Sequence, residues 1–279
     1  LFRPYEDIFG GEDPGSYINS GITYGRKGAF YYIDPLLSQV PEQTRPLFYY
    51  GHTGYGTTKD ACLWIHNTKL ALIGSHFQPA YPLLISVIAR LGTPLLAFYI
   101  IPLFALFTAL ALRSLALQFF SHKWAGLFTF LFYLLNPLTL WHARCARPEI
   151  IASFFFFGGC ALLLHAVLNK RWEKWPDIVL GTLCISFAPF FHIISFLVVI
   201  PAGLAILAII LHGRDDFLLC PFLILISFIA FLIQTAAITD YYHVGPFLHN
   251  LICPLWQSDS ALLYYLILII TVPEVRPLL

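Results

Sequence analysis

Charge is what this sequence has least of: 11% of its 279 residues are Asp, Glu, Lys or Arg, against about 25% in soluble domains. Hydrophobic residues make up 58% and aromatics 17%. A soluble chain of this size cannot hide so much apolar surface, whereas lipid solvates it directly. Nucleic-acid binding, a soluble dinucleotide enzyme and disorder are thereby disfavoured. The net charge of +1 carries no message about partners. Methionine is absent and the chain opens at Leu1, so we read it as a fragment at both ends. The opening LFRPYED has no basic stretch before an apolar run, and so is no signal peptide. Six cysteines, at positions 62, 145, 160, 184, 220 and 253, form no CxxC pair, which speaks against a disulfide framework or a zinc site. The ten histidines contain no HExxH, and the Gly-rich GHTGYG around His52 matches no phosphate-binding loop. No metal and no cofactor is expected.

What charge there is divides the chain. Residues 1–79 hold six Lys/Arg and seven Asp/Glu among many Gly, Pro and Tyr, whereas the remaining 200 residues hold ten and eight. The first part reads as a polar extramembrane region, residues 80–90 as an interfacial surface helix, and residues 91–272 as a membrane bundle. A helix needs about 20 apolar residues to cross a hydrocarbon core of roughly 30 Å. Leu91 to Leu112, Trp124 to Ala143, Ile150 to Asn169 and Phe217 to Thr239 meet that length. Ile178 to Gly213 has 36 residues, or about 54 Å of helix, too long for one crossing. With Pro189 and His192 inside it, this run is expected to break near Pro189 into a hairpin whose first helix is short. Ala261 to Val272 is a last, short run. The expected fold is therefore an all-α polytopic membrane protein of about seven crossings with a large outer first loop.

Orientation follows from the Lys/Arg bias of short loops. If Leu91 to Leu112 runs inward, Lys123, Lys170, Arg171, Lys174 and Arg214 all fall inside. Residues 1–79, the ARCARPE loop at 143–149, the Pro189 break and residues 240–260 then lie outside. Ala80 to Arg90 reaches only about 17 Å as a helix, too short to cross.

The unusual polar residues collect on that outer face. Glu12 and Asp13 stand in GGEDPGSY, before a short helix expected from Tyr17 to Gly25. Asp13 can cap that helix, with Pro14 at its first position, or accept a proton from a substrate hydroxyl or amine, and the two roles are compatible. His76 and Gln78 precede an amphipathic stretch in which Tyr81, Pro82, Leu84 and Ile88 are expected at the interface, serving either a headgroup or simple anchorage. Arg144, Arg147 and Glu149 stand at a span terminus, where charge is costly unless paired or wet. Two outer arginines call for an anion such as a phosphate headgroup, or for a structural pair of Arg147 with Glu149 or Glu12. His192 lies at the hairpin break, and His243 with Asp240, Tyr241 and Tyr242 in the last outer loop. A histidine in such a place is either a packing residue or a ligand-binding one.

Four segments taken in order, GEDPGSYINSGITYGRKG, HFQPAYPLLISVIARLG, ARCARPEIIASFFFFGGCALLLHAVL and PDIVLGTLCISFAPFFHIISFLVVIPAGL, resemble the multi-spanning GT-C glycosyltransferases. The branch of protein O-mannosyltransferases and aminoarabinose transferases is the most similar, over residues 10–215. The resemblance implies transfer of a sugar from a polyprenyl-phosphate donor to an acceptor at the outer or lumenal face of a membrane, here a bacterial inner membrane. It implies Asp13 as general base with Glu12 as neighbour or substitute. It places residues 76–82 by the donor and acceptor cleft, and Arg147 with Glu149 along the same cavity. Tyr17, His76, Gln78, Tyr81, Arg144, Arg147, Glu149, His192 and His243 are the candidate substrate-binding residues. The family's first span and much of its C-terminal half fall outside this chain. A lipid-phosphate sugar carries its own leaving group, so no nucleotide site is needed.

The competing reading is a structural subunit of a larger membrane complex. A transporter is disfavoured because no span interior beyond Glu149 carries a charged residue away from its ends. Expected partners are the lipid-linked donor, membrane lipid and such a complex, with no nucleic acid.

Overall fold

The computed structural model describes residue 4 and residues 13–49, 52–53, 56–60, 63–75, 77–120, 122–168, 174–192 and 195–238. Glu12, His76, His243 and the expected run Ala261 to Val272 lie outside them. The chain divides into two compact units, Leu1–Gly28 with Ala80–Phe228, and Ala29–Pro79 with Ile229–Leu279.

The first unit is helical. Its opening helix α1, Asp13–Lys27, extends the expected Tyr17 to Gly25 in both directions. It lies against α2, Ala80–Leu91, whose bounds are close to those expected for the surface helix. The two come close because α1 has glycines where they meet. A Cβ at Gly21 would stand 2.5 Å from that of Ile85 and 2.8 Å from the Pro82 carbonyl oxygen, and one at Gly25 would stand 3.2 Å from the Ser86 carbonyl oxygen. This is the small-residue spacing that lets helix backbones approach. It buries Tyr81 and Pro82 completely or nearly so. The expectation that these two face the interface is thereby corrected, since α1 covers the side that lipid was expected to cover.

After the short α3, Pro94–Ala97, come α4, Ile100–Phe119, and α5, Lys123–Leu135. The expected span from Trp124 to Ala143 does not continue as one helix. Asn136 Oδ1 accepts from the backbone N–H groups of Leu138 at 2.9 Å and Thr139 at 3.3 Å. With Pro137 at the first position, it starts a separate helix α6, Pro137–His142. Helix α7, Glu149–Leu168, matches the expected third run. Helices α8, Trp175–Phe191, and α9, Phe196–Leu211, divide the long run as expected, but the break falls at His192 and Pro189 stays inside α8. Helix α10 is Leu219–Ile238.

Among the described residues three segments are long and apolar enough to cross a membrane: Pro94–Phe119, Glu149–Leu168 and Asp215–Gln234. Helices α2, α5, α8 and α9 are apolar but shorter. Helices α7 and α8 touch backbone to backbone, because a Cβ at Gly159 would lie 2.6 Å from the Gly181 carbonyl oxygen. Leu163, Ala166, Ile178, Ile185, Val199, Ile206, Phe217 and Cys220 form a buried core among α7, α8, α9, the turn Asp215–Phe217 and the start of α10.

The second unit corrects the all-α expectation. Strands β1, Tyr31–Ile33, β2, His52–Thr53, β3, Gly56–Asp60, β4, Leu63–Asn67, and β5, Leu72–Ser75, form a five-stranded antiparallel sheet in the order β1-β5-β4-β3-β2. Leu37, Ile65, Ala71 and Ile73 build its small core. Arg45, 9% exposed, ties the turns together. Its Nε donates to the Val40 carbonyl at 2.9 Å, and its Nη1 donates to the carbonyls of Thr68 at 2.8 Å and Lys69 at 2.5 Å.

Candidate functional site

Of the residues singled out from the sequence, Arg144, Arg147 and Glu149 lie at the N-terminal end of α7, with His192 next to Glu149. Pro148 ends the preceding loop, and the N–H of Ala152 donates to its carbonyl at 2.9 Å. Glu149 is thus the first residue of the helix, where a carboxylate is favoured by the unsatisfied N–H groups and the helix dipole. Its Oε1 stands 4.0 Å from Nε2 of His192, the residue that ends α8, and its side chain is 35% exposed. Its Oε2 is enclosed and has no hydrogen-bond partner.

Two residues upstream, the Arg147 guanidinium lies over the indole of Trp141, 5.3 Å from the ring centroid. The loop is turned into that position by a tight bond from the Arg147 N–H to the Cys145 carbonyl at 2.8 Å. Arg147 Nε is also enclosed without a partner. Trp141 meets His142 edge to face at 4.7 Å, and His142 Nδ1 is a further enclosed atom with no partner. Arg144 is half-buried in the same turn, its N–H donating to the Trp141 carbonyl at 3.1 Å.

Tyr81 lies on α2. It is 0% exposed, its hydroxyl has no partner, and its ring packs on Tyr17 of α1 at a centroid distance of 5.4 Å. Burial pushes its phenol well above the ordinary tyrosine range, and the negative charge of Glu149 adds to the effect. Tyr81 therefore stands as a neutral, enclosed hydroxyl.

Asp13 is the exposed first residue of α1 with Pro14 second. Among the described residues no ion pair joins it to Arg147. Gln78 belongs to the second unit. It is 5% exposed, its Oε1 accepts from Gln234 Nε2 at 3.1 Å, and its own Nε2 has no partner. The structure thus joins Tyr17 with Tyr81 and Glu149 with His192, and sets Arg147 beside them in sequence. Trp141 and His142 were not singled out from the sequence, although a tryptophan at a span terminus is a recognised interfacial signal.

Among the described residues seven side-chain polar atoms are enclosed without a partner. Four of them are on Tyr81, His142, Arg147 and Glu149. Leaving each one unsatisfied costs about 1–3 kcal/mol. Enclosed donors and an enclosed acceptor can serve a molecule carrying both hydroxyl and anionic oxygens. Comparison with family models, curated proteins and solved structures finds no match to this chain.

Proposed function

We propose that the chain is an integral membrane glycosyltransferase that takes a sugar from a polyprenyl-phosphate donor at the membrane face bearing the α7 N-terminus. The observation that carries this reading is Arg147, over the Trp141 ring with an unpartnered Nε, two residues from a carboxylate with an unpartnered oxygen. A guanidinium held in this way suits a phosphate, because its planar fork matches two oxygens at once. The neighbouring carboxylate suits a hydroxyl of the sugar or of the acceptor.

The membrane assignment draws on the three long apolar segments and on large side chains left exposed along the helices, such as Phe132 at 76% and Leu204 at 62%. The proposed topology has α4, α7 and α9 running inward and α5, α8 and α10 outward. Lys174 and Arg214 then share the inner face, consistent with their common partner Asp216.

The test is release of polyprenyl monophosphate from polyprenyl-phosphate mannose, glucose and galactose by the chain in liposomes. Release from at least one donor, abolished by heat, is expected. Absence of release from all three, with the protein folded and inserted, overturns the reading and leaves the structural-subunit alternative.

A further inference from the structure

We propose that Glu149, rather than Asp13, takes the proton from the acceptor hydroxyl, an inference that rests on the transfer reading above. A proton acceptor has to be reachable, held in place and free to receive a hydrogen bond. Asp13 is exposed at the start of α1, where water competes for every lone pair. Glu149 is held at the start of α7 and is 35% exposed, so its carboxylate can be reached.

Neither of its oxygens is committed. Oε2 is enclosed with no donor, and Oε1 stands 4.0 Å from His192 Nε2, beyond hydrogen-bond length. A carboxylate at such a place ordinarily collects donors, and leaving one oxygen without any is costly. The charge of Glu149 is felt at Tyr81 of α2, a fully buried phenol whose hydroxyl has no hydrogen-bond partner. Among the described residues His192 at the end of α8 stands 4.0 Å from Glu149, Tyr81 of α2 feels its charge, and Arg147 precedes it by two residues in the chain.

In the step that follows, the acceptor O–H bond breaks and its proton goes to the Glu149 carboxylate. The acceptor oxygen forms a bond to the anomeric carbon. The anomeric carbon–oxygen bond to phosphate breaks, and its electron pair leaves on the polyprenyl phosphate. Arg147 offsets the charge on that leaving phosphate. With water as acceptor the same balance gives free sugar and polyprenyl phosphate, so the step can be read before the natural acceptor is identified.

The experiment compares Glu149→Gln and Asp13→Asn in the full chain in liposomes, with polyprenyl-phosphate mannose, glucose and galactose as probes. Release of polyprenyl monophosphate and retention of donor on the proteoliposomes are measured side by side. Glu149→Gln should lower release by about 100-fold or more with donor retention unchanged, while Asp13→Asn stays within about threefold. Release by Glu149→Gln within threefold of the parent, or loss of donor retention with it, overturns the assignment. A parent that releases and an unaffected Glu149→Gln sink this inference alone. A parent that releases nothing sinks the transfer reading as well. If Glu149→Gln does not fold, Glu149→Ala carries the test: added formate restores release if a carboxylate is needed there, and no restoration overturns the proposal.

Discussion

Helix α7 ends in two different ways. At its C-terminal end the last carbonyls are claimed, those of Ala166 and Val167 accepting from Arg214 at 3.2 and 3.0 Å. Asp216 in turn accepts from Arg214 and pairs with Lys174, whose Nζ lies 2.5 Å away. On the same side His165 and Asp177 meet at 2.7 Å. At the N-terminal end Arg147 Nε, Glu149 Oε2 and His142 Nδ1 are enclosed without partners. The chain thus saturates one end of the helix and leaves the other open, at about 1–3 kcal/mol for each unsatisfied group. The saturated end has the character of a structural clamp. The open end holds an arrangement that folding alone does not favour, which is the usual mark of a site. The contrast is graded rather than absolute, because Gln118 Oε1 and Ser186 Oγ are enclosed without partners elsewhere in the first unit.

Arg147→Ala tests the open end most severely. It should weaken retention of polyprenyl-phosphate sugars by about 10- to 100-fold, the value of a charge-assisted hydrogen bond. Thermal unfolding in detergent should move little, since among the described residues no ion pair holds this charge. A large fall in stability with unchanged donor retention breaks the comparison, for Arg147 would then be a clamp like Arg214.

Gly159→Ala probes the seam that holds the two ends at a fixed separation. Its new Cβ would meet the Gly181 carbonyl oxygen at 2.6 Å and the Ile185 side chain at 2.6 Å. A backbone oxygen cannot swing aside, so α7 and α8 must part. The expected cost is about 2–3 kcal/mol, at the upper side of overpacking effects, read as a lower midpoint in thermal unfolding. Gly203, with open space around it, is the control, and Gly203→Ala should cost nothing measurable.

Asp216→Ala strips the saturated end of its acceptor. Lys174 and Arg214 are then left as neighbouring positive charges with side chains 18% and 29% exposed. The cost should be about 2 kcal/mol, between the near-zero worth of an exposed pair and the larger penalty of a buried one. Donor retention at the far end of α7 should not change. If it falls as well, the two ends are coupled and the clamp belongs to the site.

These effects also mark what the sequence made legible. The charge-free runs located α7 and α10 to within a few residues, because a membrane-length apolar stretch has no other economical structure. The division of residues 178–213 was readable from its excess length. The sheet was not. Its strands are two to five residues long, too short for a period of two to stand out among turns. The break before Pro137 carried a readable signal in Asn136, overridden by the apolar residues on both sides. At the site, Arg147 and Glu149 were readable as costly charges at a span end. The Trp141 platform beneath Arg147 depends on a turn that no spacing rule supplies. Tyr81 was placed at the interface because its burial depends on glycines some sixty positions earlier, Gly21 and Gly25.

Tyr81→Phe is the finest test, and its sign is the point. A buried tyrosine whose hydroxyl is hydrogen-bonded loses about 1 kcal/mol on conversion to phenylalanine. Here the hydroxyl has no partner, and the ring would keep its packing on Tyr17. The exchange should therefore leave stability unchanged or raise it by up to about 1 kcal/mol. The pH dependence sharpens this. Burial first, and the charge of Glu149 second, hold the folded phenol above the ordinary value of 10.0. Above that value the unfolded chain gives up this proton while the folded protein keeps it. The unfolded state then binds fewer protons, so stability falls as pH rises, by about 1.4 kcal/mol per pH unit for one group. Below 10.0 both states hold the proton and no such slope arises. Removing the hydroxyl removes this share, so the parent should lose stability faster than Tyr81→Phe in alkaline titrations of the unfolding midpoint, with parallel curves at neutral pH. A Tyr81→Phe protein less stable by more than about 1 kcal/mol places a partner on that hydroxyl, whereas parallel curves throughout mean that the folded phenol titrates like the unfolded one and its burial is overturned.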